Sequence, residues 1–310
     1  MDVVTLTLNP CLDRTLWVGE FGEPPAREEV QTGGKGVNVA RVLSALGAQA
    51  LAVCPLGGET GKQFLRLARD EGVRVLGVEA GVPTRVIDTW ARERDFAQKV
   101  DYRAGEALDE AALDRVEAAL FDALRGARVL AVCGSARGRA ALRVAGILRR
   151  AREMGVRTVL DANGDALLEG VRGCPDLLKP NERELESLTG SSDPASAWAL
   201  IERGVGRVLV SMGARGCCMV GGEAACPPEI LPLTHLARAE VYAPAPRVAC
   251  VNPVGSGDSF LAGYLYAALR GLSDERALRL ACAAGAANAA AFPAARIVWT
   301  DILPLLGGAL

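Results

Sequence analysis

The chain has 310 residues, half of them apolar and 23% charged, which supplies enough hydrophobic mass for a large core and excludes a disordered or fibrous chain. Thirty-five Lys and Arg stand against 37 Asp and Glu, a net charge of −2, and the arginines are dispersed; no nucleic-acid footprint is present, and a small-molecule partner is expected. Nine cysteines without a CxxC pair argue against zinc or a disulfide framework, and neither the opening MDVVTLTLNP nor the Ala-rich segment at 281–291 suits a leader or a membrane span, so a soluble, cytoplasmic protein with reduced thiols is expected.

Along the chain, short β-branched runs alternate with longer helical patterns, the signature of βαβ units and a largely parallel sheet. Strands are predicted at 3–8, 50–57, 128–134, 157–162, 176–180 and 207–213. Helical patterns occupy 36–47, 60–73, 108–127, 138–156 and 182–190, several closing on glycine, as at Gly47 and Gly190. Residues 12–32 and 84–104 lack a helical period, the second with partly alternating apolar and polar positions, and together they suit a small separate sheet or lid. Residues 208–220 read as a β-hairpin at the sheet edge, with Cys217 and Cys218 as core filling. The segment 222–248 carries five prolines and the chain's single histidine, His235, and reads as a long loop with one or two edge strands. His235 is given no catalytic part.

The stretch VNPVGSGDSF (251–260) follows RVACVN, which reads as a strand, and precedes a helical pattern in which Phe260, Leu261, Tyr264, Leu265 and Ala268 recur. At such a junction the first N–H groups of the helix are unpaired, and Gly255 and Gly257 let a phosphate oxygen approach the backbone closely. Asp258 in the first turn would repel phosphate if binding were its only task. It makes sense as a base that takes a proton from an attacking alcohol, while a carboxylate that merely complements the helix dipole stays open on local sequence. A second cluster, TGGKGVNVAR (32–41), also opens a helix, with Lys35 as a point charge and Asn38 able to bond a sugar hydroxyl. GGETGKQ (57–63) fails the Walker A spacing and reads as a turn and helix start. In KPNERELESLTG (179–190), Asn181 and Glu184 stand at capping-box spacing, and a place for Glu184 near a hydrated Mg²⁺ is the alternative.

Taken together, TLNPCLD, GGKGVNVARVLSALG, the TR at 84–85, the GS at 134–135, KPNERELE, VLVSMGARG and VNPVGSGDS resemble the phosphofructokinase B group of the ribokinase-like carbohydrate kinases. The match runs in the group's order along nearly the whole chain, and its openings look most like those of 1-phosphofructokinase and tagatose-6-phosphate kinase. The resemblance implies one kinase domain over 1–310: a three-layer α/β/α sandwich with a mainly parallel sheet and a small β-sheet lid formed discontinuously by about 12–32 and 84–104. It also implies ATP and Mg²⁺. Asp258 would then be the base, and the backbone of Gly255, Ser256 and Gly257 the anion hole. Asp13, Gly34, Lys35 and Asn38 would contact the sugar phosphate, with Arg85 against its existing phosphate. Lys179, Asn181 and Glu184 match the Mg²⁺ and phosphate motif, Glu184 acting through water. Ser211, Gly213 and Gly216 match the nucleotide-side loop, and Asn288 would neighbour the adenine pocket. The family often pairs through its lid, so the resemblance allows a homodimer.

Three departures bear on substrate identity. The group usually continues Leu-Pro after the Gly-Ser pair, whereas Arg137 and Arg139 follow here, either to bind a phosphate or to face solvent. The segment 84–104 is unusually charged, and 222–248 is long. The expectation is an ATP-dependent kinase that converts a ketohexose phosphate to a 1,6-bisphosphate, with fructose 1-phosphate preferred to tagatose 6-phosphate. A catalytically silent sugar-phosphate sensor is the rival from the binding class. A Rossmann dehydrogenase would need a dinucleotide fingerprint after the first strand, and none is there.

Overall fold

The computed structural model describes residues 1–221 and 240–307. His235 and Cys226 lie outside them. The strands are β1 (Val3–Leu6), β2 (Cys11–Val18), β3 (Arg27–Gly33), β4 (Ala50–Leu56), β5 (Val75–Glu79), β6 (Arg85–Arg92), β7 (Gln98–Asp101), β8 (Val129–Ser135), β9 (Arg157–Asn163), β10 (Leu177–Leu178), β11 (Arg207–Ser211), β12 (Cys217–Val220) and β13 (Glu240–Ala243). The helices are α1 (Lys35–Ala45), α2 (Gly58–Asp70), α3 (Glu110–Ala123), α4 (Arg139–Glu153), α5 (Gly164–Val171), α6 (Glu182–Thr189), α7 (Trp198–Ile201), α8 (Ser256–Leu269), α9 (Asp274–Ala289) and α10 (Trp299–Ile302).

Among the described residues nine strands form one sheet in the order β13-β12-β11-β10-β9-β8-β1-β4-β5, parallel except for β12 and β13. Because side chains alternate across a strand, the apolar runs feed two cores. Val3, Val129, Ala131 and Cys133 pack with α1, α8 and α9 on one face; Val4, Leu6, Leu130 and Val132 pack with α3, α4 and α5 on the other. Each fully buried Val or Leu stabilises by about 1.5–3 kcal/mol relative to exposure. The result is a three-layer α/β/α sandwich. From β1 the chain passes to β4 and β5, then returns to β8 on the other flank of β1. That reversal opens a crevice at the carboxyl ends of the strands, where open α/β sheets hold their ligands.

The two aberrant segments form the second sheet, ordered β3-β2-β6-β7. β2 and β3 pair antiparallel, and β2 runs parallel to β6 along Cys11–Arg85 to Val18–Arg92.

Several expectations need correcting. RVACVN is not a strand: the amides of Val251 and Asn252 both donate to the Ala289 carbonyl at the end of α9, and among the described residues it has no sheet neighbour. The 208–220 hairpin exists as β11–β12, but β13 lies beyond it and forms the edge. The predicted strand 176–180 shrinks to two residues, and β5 and α5 were not foreseen. The Ala-rich segment 281–291 belongs largely to α9, which Ser273 caps. Among the described residues no helix is long and apolar enough to cross a membrane.

Candidate active site

Four chain segments converge at the crevice. α8 starts from Gly255, whose φ of +81° suits glycine and where a Cβ would lie 3.0 Å from that of Ala294. Asn288, 1% exposed, braces this turn: its Nδ2 donates to the Val254 carbonyl at 2.8 Å and to Ser256 Oγ at 3.0 Å, and its Oδ1 accepts from the Ala295 amide. The structure thus shows Asn288 tying the glycine turn to the segment after α9.

Asp258 follows one turn in, 6% exposed. Its carboxyl is pushed up to about 6, first by burial and then by Asp161, against the lowering influence of Lys35, a bond from Asn38, and Lys179. Asn38 Nδ2 donates to Asp258 Oδ2 at 2.8 Å. A carboxyl that titrates near 6 is mostly ionised at neutral pH yet more basic than an ordinary carboxylate, which suits general-base chemistry.

Asp161 was not singled out in the sequence. It sits near the carboxyl end of β9, fully buried, between two cations: Lys35 Nζ at 3.0 Å and Lys179 Nζ at 3.2 Å from the same Oδ1. Its Oδ2 has no hydrogen-bond partner among the described residues. The signal available was an acidic residue at the carboxyl end of a predicted parallel strand. Lys35 would be lowered by burial, yet Asp161, Glu184 and Asp258 outweigh that and hold it charged. Lys179, 3% exposed, also faces the glycine hole, since a Cβ on Gly257 would stand 3.8 Å from its Nζ. The two ammonium groups thus meet at Asp161, and Lys179 stands beside the first turn of α8, an arrangement suited to a transferring phosphoryl group.

Asn181 and Glu184 form the expected capping box of α6, with both bonds at 2.9 Å. Glu184 Oε1 stays 3.8 Å from Lys35 Nζ. The Ser211 amide donates to the Pro180 carbonyl at 3.0 Å, which joins the end of β11 to this motif. Gly213 opens the following turn, and Gly216 packs against the backbone of 243–245, too close for any side chain.

On the small sheet, Asp13 lies against the backbone of Gly33, where a Cβ would meet its Oδ2 at 2.2 Å. Burial raises its carboxyl, while the Cys11 thiol bond, Arg41 and Arg85 lower it. Gly34 caps α1 with φ of +113°. Arg85 donates to the carbonyls of Arg103 and Asn9, and its guanidinium lies 5.1 Å from the centre of the Tyr102 ring. It lines a cavity of about 230 Å³ together with Asn9, Thr84, Gly105 and Arg137. Arg139 is engaged elsewhere, at 2.5 Å from Glu110 Oε1. Of the two arginines that depart from the family pattern, Arg137 is the one at the cavity.

A doubly flanked parallel sheet with a buried carboxylate, a glycine turn and paired lysines at its switch point has the make-up of a phosphotransferase. The pfkB family carbohydrate kinase model matches residues 7–299, and the chain belongs to that family. It is 33% identical over 298 residues to a 1-phosphofructokinase of Rhodobacter capsulatus, covering 91% of this chain and 88% of the relative. It is 30% identical over 298 residues to the ATP-dependent 6-phosphofructokinase isozyme 2 of Escherichia coli, covering 92% and 91%. The crystal structure of phosphofructokinase-2 from E. coli in complex with potassium superposes with a TM-score of 0.87 at 27% identity, covering 99% of this chain and 98% of the other. The protein is a sugar-phosphate kinase.

Proposed function

We propose that this kinase transfers the γ-phosphoryl group of ATP to the free primary hydroxyl of fructose 1-phosphate, giving fructose 1,6-bisphosphate. The observation that carries the reaction is Asp258, raised to about 6 and set beside the Gly255–Gly257 hole and Lys179. The attacking hydroxyl donates its proton to Asp258 while Lys35, Lys179 and the amides of α8 balance charge on the transferring group. Asp13 accepts from a sugar hydroxyl, and Arg85 with Arg137 holds the existing phosphate in the 230 Å³ cavity. Arginine pairs suit this task because the guanidinium fork bonds two phosphate oxygens at once. The small sheet is the lid over this site, and its exposed Val100, with Tyr102 just beyond β7, marks the face through which two copies pair. Relatives named 1-phosphofructokinase support the substrate.

Mg²⁺ needs few protein ligands, since it keeps waters and binds mainly through substrate phosphates. The structure fits that pattern: among the described residues no three acidic, His or Cys groups gather around a common point, and Glu184 reaches to 3.8 Å from Lys35 Nζ at the crevice. Glu184 would hold the ion's water shell, where the ion neutralises phosphate charge.

ADP release is measured with Mg·ATP and, separately, fructose 1-phosphate, tagatose 6-phosphate, fructose 6-phosphate and unphosphorylated hexoses, each beside Asp258→Asn. Turnover on fructose 1-phosphate that the variant loses is the expected result. Turnover on another sugar phosphate corrects the substrate. Silence on all of them from a protein that still binds one leaves the sensor.

A further inference from the structure

Asn38 and Arg41 stand three residues apart on α1, on one helical face, and both are buried at 5% exposure. Asn38 spans two partners: its Nδ2 donates to Asp258 Oδ2 at 2.8 Å and its Oδ1 accepts from Arg41 Nη1 at 2.7 Å. Arg41 is itself held from the far side. Its Nη2 donates to the Thr32 carbonyl at 2.5 Å, to Thr32 Oγ1 at 2.6 Å and to Glu71 Oε2 at 2.9 Å. Thr32 belongs to β3 of the small sheet, and Glu71 also binds the Thr32 amide at 3.0 Å.

A carboxamide has two orientations, related by exchange of its oxygen and nitrogen. Beside an ionised Asp258 the NH₂ group must face the carboxylate. Beside a protonated Asp258 the reverse orientation is favourable, because the amide oxygen accepts the carboxyl proton. Arg41 forbids that reverse orientation: it would set the Asn38 NH₂ group against a guanidinium that can only donate. We propose that Arg41 is a positioning residue for the base, fixing the Asn38 amide with its NH₂ group on Asp258 so that the carboxylate stays ready to accept the substrate's proton. This rests on the reading of Asp258 as the base and adds a residue that touches neither substrate nor the reacting atoms.

Other groups facing Asp258 are Lys35 from α1, Cys133 from β8, Asp161 from β9 and Lys179 after β10. None of them contacts Arg41 by a hydrogen bond or ion pair in the structure, so replacing Arg41 leaves their arrangement around Asp258 in place. Glu71 is not stranded by the loss of Arg41, because Arg296 Nη2 remains 3.0 Å from its Oε1.

The test is a ¹³C NMR titration of the full chain labelled at aspartate Cγ, with the Asp258 signal assigned by its loss in Asp258→Asn. Wild type, Arg41→Met, Arg41→Lys and Asn38→Ala are compared, together with both Arg41 changes in the Asn38→Ala background. Arg41→Lys keeps the charge but lacks the fork that reaches Asn38 and Thr32 together. The expected result is that both Arg41 variants move the Asp258 midpoint up from about 6 by about one pH unit, the size of one hydrogen bond to a charged group, and that neither moves it further once Asn38 is Ala. In turnover, the acid limb of kcat/KM shifts with it while the rate above that limb changes little. An unmoved midpoint, or an equal rise in the Asn38→Ala background, overturns the proposal, the latter showing a through-space charge effect. If wild type turns over no sugar phosphate, the kinase reading fails separately, and the titration still decides what Arg41 does to Asp258.

Discussion

Replacing Asp258 with Asn should make the protein less active and more stable at once. Folding raises this carboxyl from 3.8 to about 6, so the folded state binds its proton more tightly than the unfolded chain does. The stability linked to that proton is complete below about pH 4 and lost as pH rises through about 6. At pH 8 the wild-type fold therefore carries a penalty of about 3 kcal/mol for keeping the charged form buried, an order-of-magnitude figure from the gap between the two values. The penalty is already net of Lys35, Lys179 and the Asn38 bond, which all favour the charge. Asn keeps the volume and an oxygen for Asn38 but has no proton to lose. For a chain of this length the gain corresponds to a rise in Tm of about 4–5 °C at pH 8, while kcat falls by about 10²–10⁴ if the residue acts only as a base. Differential scanning calorimetry of both proteins from pH 4.5 to 8, with turnover on the same samples, reads both effects. A variant no more stable than wild type at pH 8, or a gain of equal size at pH 4.5, would refute the claim that Asp258 is held in strain by burial.

Wild-type kcat/KM should fall as pH drops through about 6, since the base must be ionised before it can accept a proton, and a pH–rate profile measures this directly. Arg137→Ala should raise KM for the sugar phosphate about tenfold or more with little change in kcat, because a charge-assisted bond to the non-reacting phosphate is lost. Arg139→Ala, whose partner is Glu110, should leave both constants near wild type in the same steady-state assay. Gly255→Ala places a side chain at φ +81° and 3.0 Å from Ala294 Cβ; a loss of about 1–2 kcal/mol by urea unfolding, together with weaker ATP turnover, is expected.

The parts of the site that were legible in the sequence are those where chemistry depends on backbone. Gly34, Gly255 and Gly257 announce helix starts, and Lys35, Asn38 and Asp258 become readable as candidates because they stand in the first turns of those helices. The small sheet was legible for a similar reason, as two segments without a helical period supply all four of its strands. RVACVN misled because strand propensity describes a run of side chains, whereas a strand also needs a neighbour; the sheet had already ended at β13, and the amides there found Ala289 instead.

Buried charge is different in kind. Asp161 acquires its meaning from Lys35, 126 residues earlier, and from Lys179 beyond it, so its place at the carboxyl end of its strand is the one local signal it carries. Arg41 is equally plain in sequence, yet its two Nη groups are spread over an amide, a carbonyl, a hydroxyl and a carboxylate from three separate segments. Removing a charge from water costs several kcal/mol unless such partners are all in place, and their placement is a property of the assembled crevice. This is also why Arg137 and Arg139 stayed equivalent until the fold was known. Two residues apart, they differ only in that Glu110, brought alongside by α3, engages one of them and leaves the other facing the cavity.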